Sequence, residues 1–466
     1  MEIHNKMAQS MSESYNTSEK IRVLAFLSCG TIKEKEVVSM KNKLRMITEA
    51  TLIVGVDIAK KIHWSQVTDY RGNALCKPIK VENTFEGFQE FLHVIKEICG
   101  QIGCKQILLG FEPSGHYWKN LAYFLESEEN IILLGVNPFH VKQMKELDDN
   151  TQTKSDKKDA LVIARLIRDG RFFEIYLPEE KYAQLRILRR YREQASIARK
   201  RLICNIKVLM DEYFPEYEKV GYEVSSISAR AILRTTPFPK DLIEMEAEEI
   251  WNKWRMALGK TMRIGRQKVY QLKEEAMNSI GIKVGIEAAR VGLNTMLDQM
   301  DILDASIEKY DAEMEMIMNE LDISIYLTSV PGVGKVTAAA FVAETGDLSR
   351  FDDWKQVRKM AGLNLVEQSS GMHKGKTSIS KRGRPGLRKI IYIIGDKGML
   401  VSPEMMMYYQ YLRHRPSNQL AHQQAVLAVG LKLMRVMFHV AKTHESYDAQ
   451  KVLGEIRINQ INSLSA

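Results

Sequence analysis

The chain has 466 residues, of which 45% are hydrophobic and 27% charged, a composition that excludes disorder throughout and leaves room for two to four domains. Lys and Arg number 67 against 58 Asp and Glu, a formal charge of +9 and a pI near 9.0 that favour a polyanionic partner. Five scattered cysteines (Cys29, Cys76, Cys99, Cys104 and Cys204) argue against a disulfide framework and contain no CxxC pair for zinc. No uninterrupted apolar run reaches the length of a membrane span, so the expected setting is a reducing cytoplasm with no membrane partner.

Residues 1–48 are polar and read as a poorly ordered leader. From Thr51 the run TLIVGVDI (51–58) has the continuous apolar character of a buried strand and ends in an aspartate. Two more strands are expected near 63–68 and 74–79, separated by a Gly72-Asn73 turn. A helix follows, capped by Asn83-Thr84, with Phe85, Phe88, Leu92 and Ile95 on one face. QILLGFE (106–112) is a further strand and ends in a glutamate. A helix near 119–126, a strand at 131–137, a short basic helix and a helix over 155–169 complete a βββαβαβα order.

The middle third, 178–325, reads as helical. Leu293, Met296, Met300, Leu303, Ile307, Tyr310, Met314, Ile317 and Leu321 alternate spacings of three and four, a sustained heptad seam. Leu188, Ala195, Ala198, Leu202, Ile206 and Leu209 repeat the pattern in an earlier helix, so an antiparallel hairpin or a dimer seam both satisfy it. The last third, 326–445, is mainly helical. It opens on two helices meeting at Pro331-Gly332-Val333-Gly334, a helix-hairpin-helix-like turn, and closes with a helix near 419–442 before a tail, 446–466.

Four carboxylates carry the sharpest chemical signal. Asp57 and Glu112 end two strands, and Asp156 and Asp159 lie three apart at a helix start, where like charges repel unless a cation offsets them. Oxygen ligands of this kind suit Mg²⁺, with Mn²⁺ as a substitute, and two such ions can stabilise both oxygens of a phosphoryl displacement. Acids in a first helical turn are also favoured by the dipole alone, so the joint placement carries the argument: it is the layout in which ribonuclease-H-like folds hold catalytic metal.

A second signal is basic. Between Lys374 and Lys389 stand seven cations (Lys374, Lys376, Lys381, Arg382, Arg384, Arg388, Lys389) and no acid, as a phosphate-binding segment requires. Ser369 and Ser370 immediately precede it, so a hydroxyl there has cationic neighbours for phosphoryl chemistry. Gly332, Gly334 and Lys335 are expected to offer backbone amides and a helix N-terminus to a phosphate. They do not form a Walker A loop, because Ser329 stands where its first glycine belongs. Nine positive residues against Glu193 alone, from Lys181 to Lys207, make a basic helix that is a further candidate contact surface.

VGVDIAK (54–60), GFEPSGHYW (110–118), NPFHVK through KSDKKDA to IARL (137–166), SVPGVGKVTAAAFVAETGD (329–347), AGL with QSSG (361–371) and SISKRGRPGLRK (378–389) resemble the IS110 (IS-one-ten) family of insertion-sequence transposases and its invertase relatives. The resemblance spans about residues 50–442. It implies an N-terminal RuvC-like DEDD metal domain (49–177), a coiled-coil middle and a C-terminal transposase domain bearing a nucleophilic serine. Asp57, Glu112, Asp156 and Asp159 then take the metal-ligand roles and Ser370, or its neighbour Ser369, the nucleophile role. It further implies a structured non-coding guide RNA, DNA as substrate, and a dimer or tetramer in which the DEDD site of one subunit meets the serine of another. Leu365-Val366 departs from the proline common in relatives at that point.

The expected activity is therefore Mg²⁺-dependent DNA recombination in a bacterial or archaeal nucleoid. A junction-resolving nuclease that hydrolyses with water is the rival enzyme, and a non-enzymatic nucleic-acid scaffold the rival of another class.

Overall fold

The computed structural model describes residues 43–148, 156–220, 222–259, 265–367, 375 and 377–465, without the side chains of 146–148, 156, 157 and 462–465. Its contacts divide the chain into two compact units, with the division between Leu177 and Pro178.

The first unit is mixed α/β. Its elements are β1 (Thr51–Asp57), β2 (Ile62–Thr68), β3 (Ile79–Glu82), α1 (Phe85–Ile102), β4 (Gln106–Phe111), α2 (Trp118–Leu125), β5 (Ile131–Val136), α3 (Pro138–Asp148), α4 (Asp156–Arg168) and β6 (Phe172–Glu174). Six strands form one sheet in the order β3-β2-β1-β4-β5-β6, with β1, β4 and β5 parallel and the remaining pairs antiparallel. β1 is central and covered on both faces, which explains its unbroken apolar run. Leu52, Val54 and Val56 enter a core with Phe88, Phe91 and Leu121, while Ile53 enters a second core with Val162, Ile163 and Ile167 of α4.

Three expectations need correction here. The third strand starts at Ile79, where it was expected to end: Ala74 makes an isolated bridge to Thr68, and Pro78 has no N–H to pair. Residues 43–48 belong to the fold rather than to a leader. Lys43 donates to the Phe172 carbonyl at 2.5 Å, the Met46 carbonyl accepts from Gln106 at 2.7 Å, and Met46 and Ile47 pack on the α4 core. Cys99 and Cys104, read as unpaired, form a disulfide with their Cα atoms 5.0 Å apart. The left-handed Gly103 (φ 67°) folds the chain back at the end of α1, a closure the spacing alone does not announce. The α1 cap is as expected, with Thr84 accepting from the Gly87 amide, and Phe88 and Ile95 are buried as expected, but Phe91 joins them and Phe85 is exposed.

The second unit is mostly helical. α5 (Glu180–Tyr213) and α11 (Ile286–Asn319) flank a cap of α6 (Tyr217–Val220), α7 (Ile227–Thr235), α8 (Pro239–Glu244), α9 (Ala247–Leu258) and α10 (Gln267–Met277). Lys181 pairs with Glu320, Arg192 with Asp311 and Arg199 with Asp304, so numbers rise on one helix as they fall on the other: the two arms run antiparallel within one chain. The apolar seam is not evenly used. Leu293, Met300, Met314 and Met318 are buried, whereas Leu303, Ile307 and Tyr310 between them are half-buried, because other helices pack only at the two ends of the pair.

Beyond α11 come α12 (Ser324–Thr328), α13 (Lys335–Thr345), α14 (Trp354–Met360), a two-residue hairpin β7 (Leu365–Val366) and β8 (Ser378–Ile379), and then α15 (Pro385–Val401), α16 (Pro403–His414), α17 (His422–Thr443), α18 (Ala449–Leu453) and α19 (Glu455–Ser465). Among the described residues α17 is the one helix long and apolar enough to cross a membrane, and its Val426, Val429, Leu433 and Met437 are buried in the core of this unit. α15 and α17 approach backbone to backbone at Gly395 and Gly430: a Cβ on either would meet a carbonyl oxygen of the other helix at 2.2 and 2.1 Å. Val452, expected in a tail, is buried in the same core.

Candidate active site

Val56 pairs with Phe111 in the parallel β1–β4 register, so Asp57 and Glu112, one residue on, end neighbouring strands at the same level. Strand alternation sets their direction. Gly55 faces α4, where a Cβ would lie 2.2 Å from the Ala160 carbonyl, and Gly110 faces the Ile167 side chain. Asp57 and Glu112, two residues beyond each glycine, therefore point to the α4 side of the sheet, and both are half-buried. The Ser114 hydroxyl donates to Glu112 Oε1 at 2.7 Å and holds that carboxylate.

α4 is oriented to complete the group. Its last residue, Arg168, donates to the Arg71 carbonyl in the β2–β3 turn, beside the start of β1, so its first turn lies toward the end of β1. Asp156 opens that turn, with its side chain outside the described residues. Asp159 follows at 8% exposure, its carboxylate 2.5 Å from Lys145 of α3. Among the described residues no three His, Cys, Asp or Glu side chains gather closely enough to hold a metal. Lys145 was not anticipated: a lysine in a short basic helix carries no signal until α3 packs beside α4.

Gly332 and Gly334, expected to serve a phosphate together, have different duties. Gly332 (φ 77°) is packed against α15, where a Cβ would lie 2.4 Å from the Gly398 amide nitrogen; this is a close approach that requires glycine. Gly334 opens α13 at an exposed position with free space around it, and Lys335 is paired with Glu315.

The basic segment is only partly available. Arg384 donates to the Glu344 carbonyl, Arg388 to the Ala361 carbonyl at 2.8 Å, and Lys389 pairs with Glu193 at 2.6 Å. Arg384 and Arg388 brace α13 and the base of the β7–β8 hairpin, and Lys389 ties α15 to α5, while Lys381 and Arg382 are exposed. Lys374, Lys376, Ser369 and Ser370 fall in the segment joining β7 to β8, outside the described residues. The hairpin base is tightly built. A Cβ on Gly362 (φ 67°) would meet Arg388 Nη1 at 2.9 Å, and Arg358 donates to the Asn364 side chain at 2.9 Å.

The basic helix, now α5, is corrected in the same way. Arg189 pairs with Glu344 at 2.5 Å, Arg192 with Asp311, Arg199 with Asp304, and Arg186 donates to the Ala343 carbonyl. Five of its nine cations, with Lys181 on Glu320 and Lys207 on Glu223, pair with acids from outside the helix, partners a local count around Glu193 does not see.

Residues 54–215 match the transposase profile designated DEDD for the IS110 group, and residues 325–410 match that of the IS116/IS110/IS902 transposase family; together they take in just over half of the chain. The chain belongs to the IS116/IS110/IS902 family of transposases. It is 25% identical to the 44.8 kDa protein of insertion element IS116 from Streptomyces clavuligerus, over 83% of this chain and 93% of that one. It is 23% identical to the IS117 mini-circle protein of Streptomyces coelicolor, over 87% and 97% respectively. A 142-residue stretch, 30% of this chain and 38% of the relative, is 29% identical to the transposase of insertion sequence element IS1111A from Coxiella burnetii. In this transposase the first profile begins within β1 and takes in the whole carboxylate-bearing half of the sheet, and the second takes in the glycine turn and the hairpin.

Proposed function

We propose that this transposase cuts and rejoins DNA through a covalent serine–DNA link, with Asp57, Glu112, Asp156 and Asp159 holding a divalent cation and Ser370 as nucleophile. The observation that supports the reading is the placement of Asp57 and Glu112 one residue beyond the last paired residues of two parallel strands, both turned toward the helix that starts at Asp156. In this reading residues 49–177 are a RuvC-like domain, 178–325 a coiled-coil arm and 326–445 the transposase domain proper. The donor set is all oxygen, which fits Mg²⁺ or Mn²⁺ rather than zinc. A bound ion of that kind supplies charge neutralisation at the phosphoryl oxygens.

Asp57 and Glu112 hold and orient, and Ser114 fixes one oxygen of Glu112 through its hydroxyl. Lys145 neutralises Asp159, a role that a divalent cation held by Asp159 would supply in its place. The Ser370 oxygen forms a bond to phosphorus as the bond to the departing strand's sugar oxygen breaks, and the hydroxyl proton passes to that oxygen. Attack by a hydroxyl of another strand reverses the step and rejoins DNA without ATP, in agreement with the missing Walker loop. The family resemblance extends the reading to a structured guide RNA and to a dimer or tetramer.

Covalent trapping tests the chemistry. On denaturing gels the wild-type protein with DNA and Mg²⁺ is expected to yield a protein–DNA adduct, and Ser370→Ala none while still binding DNA; adduct persisting in that variant sinks the nucleophile. Nicking by Ser370→Ala with no protein-linked product in any variant favours hydrolysis by water instead. RNA recovered with the purified protein, sequenced and tested for pairing to the element's ends, decides the guide.

A further inference from the structure

A cavity of about 600 Å³ lies where the second half of α17 meets α14 and the α17–α18 connection. Lys432, Arg435, His439 and Lys442, spaced three, four and three apart, form a stripe along one face of α17 toward it. The stripe begins beyond the last residue of the second family match.

Among the described residues the cavity is lined by four lysines and arginines and four acids, so what matters is which of them are already paired. Lys442 donates to the Ser349 carbonyl at 2.6 Å. Arg435 lies over the Trp354 indole at 5.6 Å, and Arg358 lies 5.1 Å from the same ring. Lys432 is half-buried with no acidic partner among the described residues. Burial, with Arg435 and then Arg457 beside it, holds its ammonium below the usual range. Acids from neighbouring elements also face the cavity. Asp353 caps α14 and pairs with Lys355 at 3.2 Å, Asp448 caps α18 and pairs with Lys451 at 3.6 Å, and Asp352 and Glu445 are exposed, as Arg435 is. Lys432, half-buried, and Arg435, exposed, lie together along this side of the cavity, and among the described residues neither is paired with an acid.

We propose that this cavity is a binding site for a backbone phosphate of nucleic acid, with Lys432 and Arg435 as its ligands and Trp354 as the ring that positions Arg435. It rests on the reading that the chain acts on DNA. Neither cation belongs to the carboxylate set or to the serine segment, so the role proposed is anchoring of nucleic acid.

The test measures binding of the full-length protein to a short mixed-sequence DNA duplex, and separately to an RNA hairpin, by fluorescence anisotropy across a salt series. Lys432→Gln/Arg435→Gln is expected to bind about tenfold more weakly near 0.15 M ionic strength, and to reduce the slope of log affinity against log salt by about two. Loss with DNA alone assigns the phosphate to DNA, and loss with RNA alone assigns it to RNA. Affinity and slope unchanged with both overturn the proposal. If the double variant does not fold, acetylation of Lys432 in the wild-type protein decides: slowing by duplex or hairpin supports the site, and an equal rate with and without them overturns it. Wild-type protein that binds no DNA sinks the DNA reading itself, whereas binding that the variant leaves intact sinks only the cavity.

Discussion

A methyl group at Gly55 would meet the Ala160 carbonyl at 2.2 Å and the Ala164 amide nitrogen at 2.5 Å, and both are helix backbone that cannot rotate away. Gly55→Ala is therefore expected to push α4 from β1, lowering stability by about 1–3 kcal/mol in a urea titration and spoiling the approach of Asp159 to the strand ends. Lys145→Ala leaves Asp159 nearly buried without its ammonium. Its melting temperature is expected to fall in chelator and to rise more steeply with Mn²⁺ than that of wild type, since the cation no longer displaces a lysine. Identical Mn²⁺ responses in the two proteins would remove Asp159 from the ligand set. His63 offers a pH readout. Its ring is fully buried in β2, and desolvation holds its pKa below the ordinary 6.5, opposed by weaker hydrogen bonding. The unfolded chain thus binds the proton more readily than the folded one. The stabilisation from the neutral ring is complete above pH 6.5 and is lost as pH falls from there through the lower folded-state value. Unfolding midpoints recorded from neutral to acidic pH should show this fall, and His63→Gln should flatten it.

At the scale of elements, the α5–α11 pair is held at its half-buried waist by side-chain chemistry as much as by the apolar seam. Arg192 grips Asp311 with two nitrogens, and Arg199 shares Asp304 with Arg230 of α7. A double-mutant cycle on Arg192 and Asp311 is expected to give a coupling of about 1 kcal/mol, reduced at high salt because both side chains keep about a quarter of their exposure. The α15–α17 crossing is different in kind. Gly395 and Gly430 let two backbones touch, so Gly430→Ala is expected to cost about 1–3 kcal/mol, seen as a lower denaturation midpoint, with no salt dependence. The heptad pattern announced both long helices and the end of the first at Tyr213, though α5 begins at Glu180, five residues before the expected Leu185. The strand expected at 74–79 moved to Ile79–Glu82 because one proline outweighs a favourable apolar run.

Over the whole molecule, two units with separate cores carry the two halves of the proposed chemistry. Asp57→Asn is expected to abolish strand cleavage while leaving circular dichroism and melting close to wild type, because its side chain lies at a strand end and not in either core of the first unit. The order of strands and helices as far as α4, the carboxyl residues ending β1 and β4, and the glycine turn before α13 were legible in the chain, since periodicity and turn chemistry are local, whereas the three-residue β6, which adds an antiparallel edge strand to β5, was not expected. Which charges remain available was not. Local counting made α5 and the segment from Arg384 to Lys389 look like open cationic surfaces, yet Asp304, Asp311, Glu344 and backbone carbonyls from distant elements take up most of them. The sequence by itself determined the elements and the residue types of the candidate site. Only the tertiary structure decided the face to which Asp57 and Glu112 turn, the lysine held by Asp159 and the cations left over on α17, because each depends on atoms brought together from far apart in the chain.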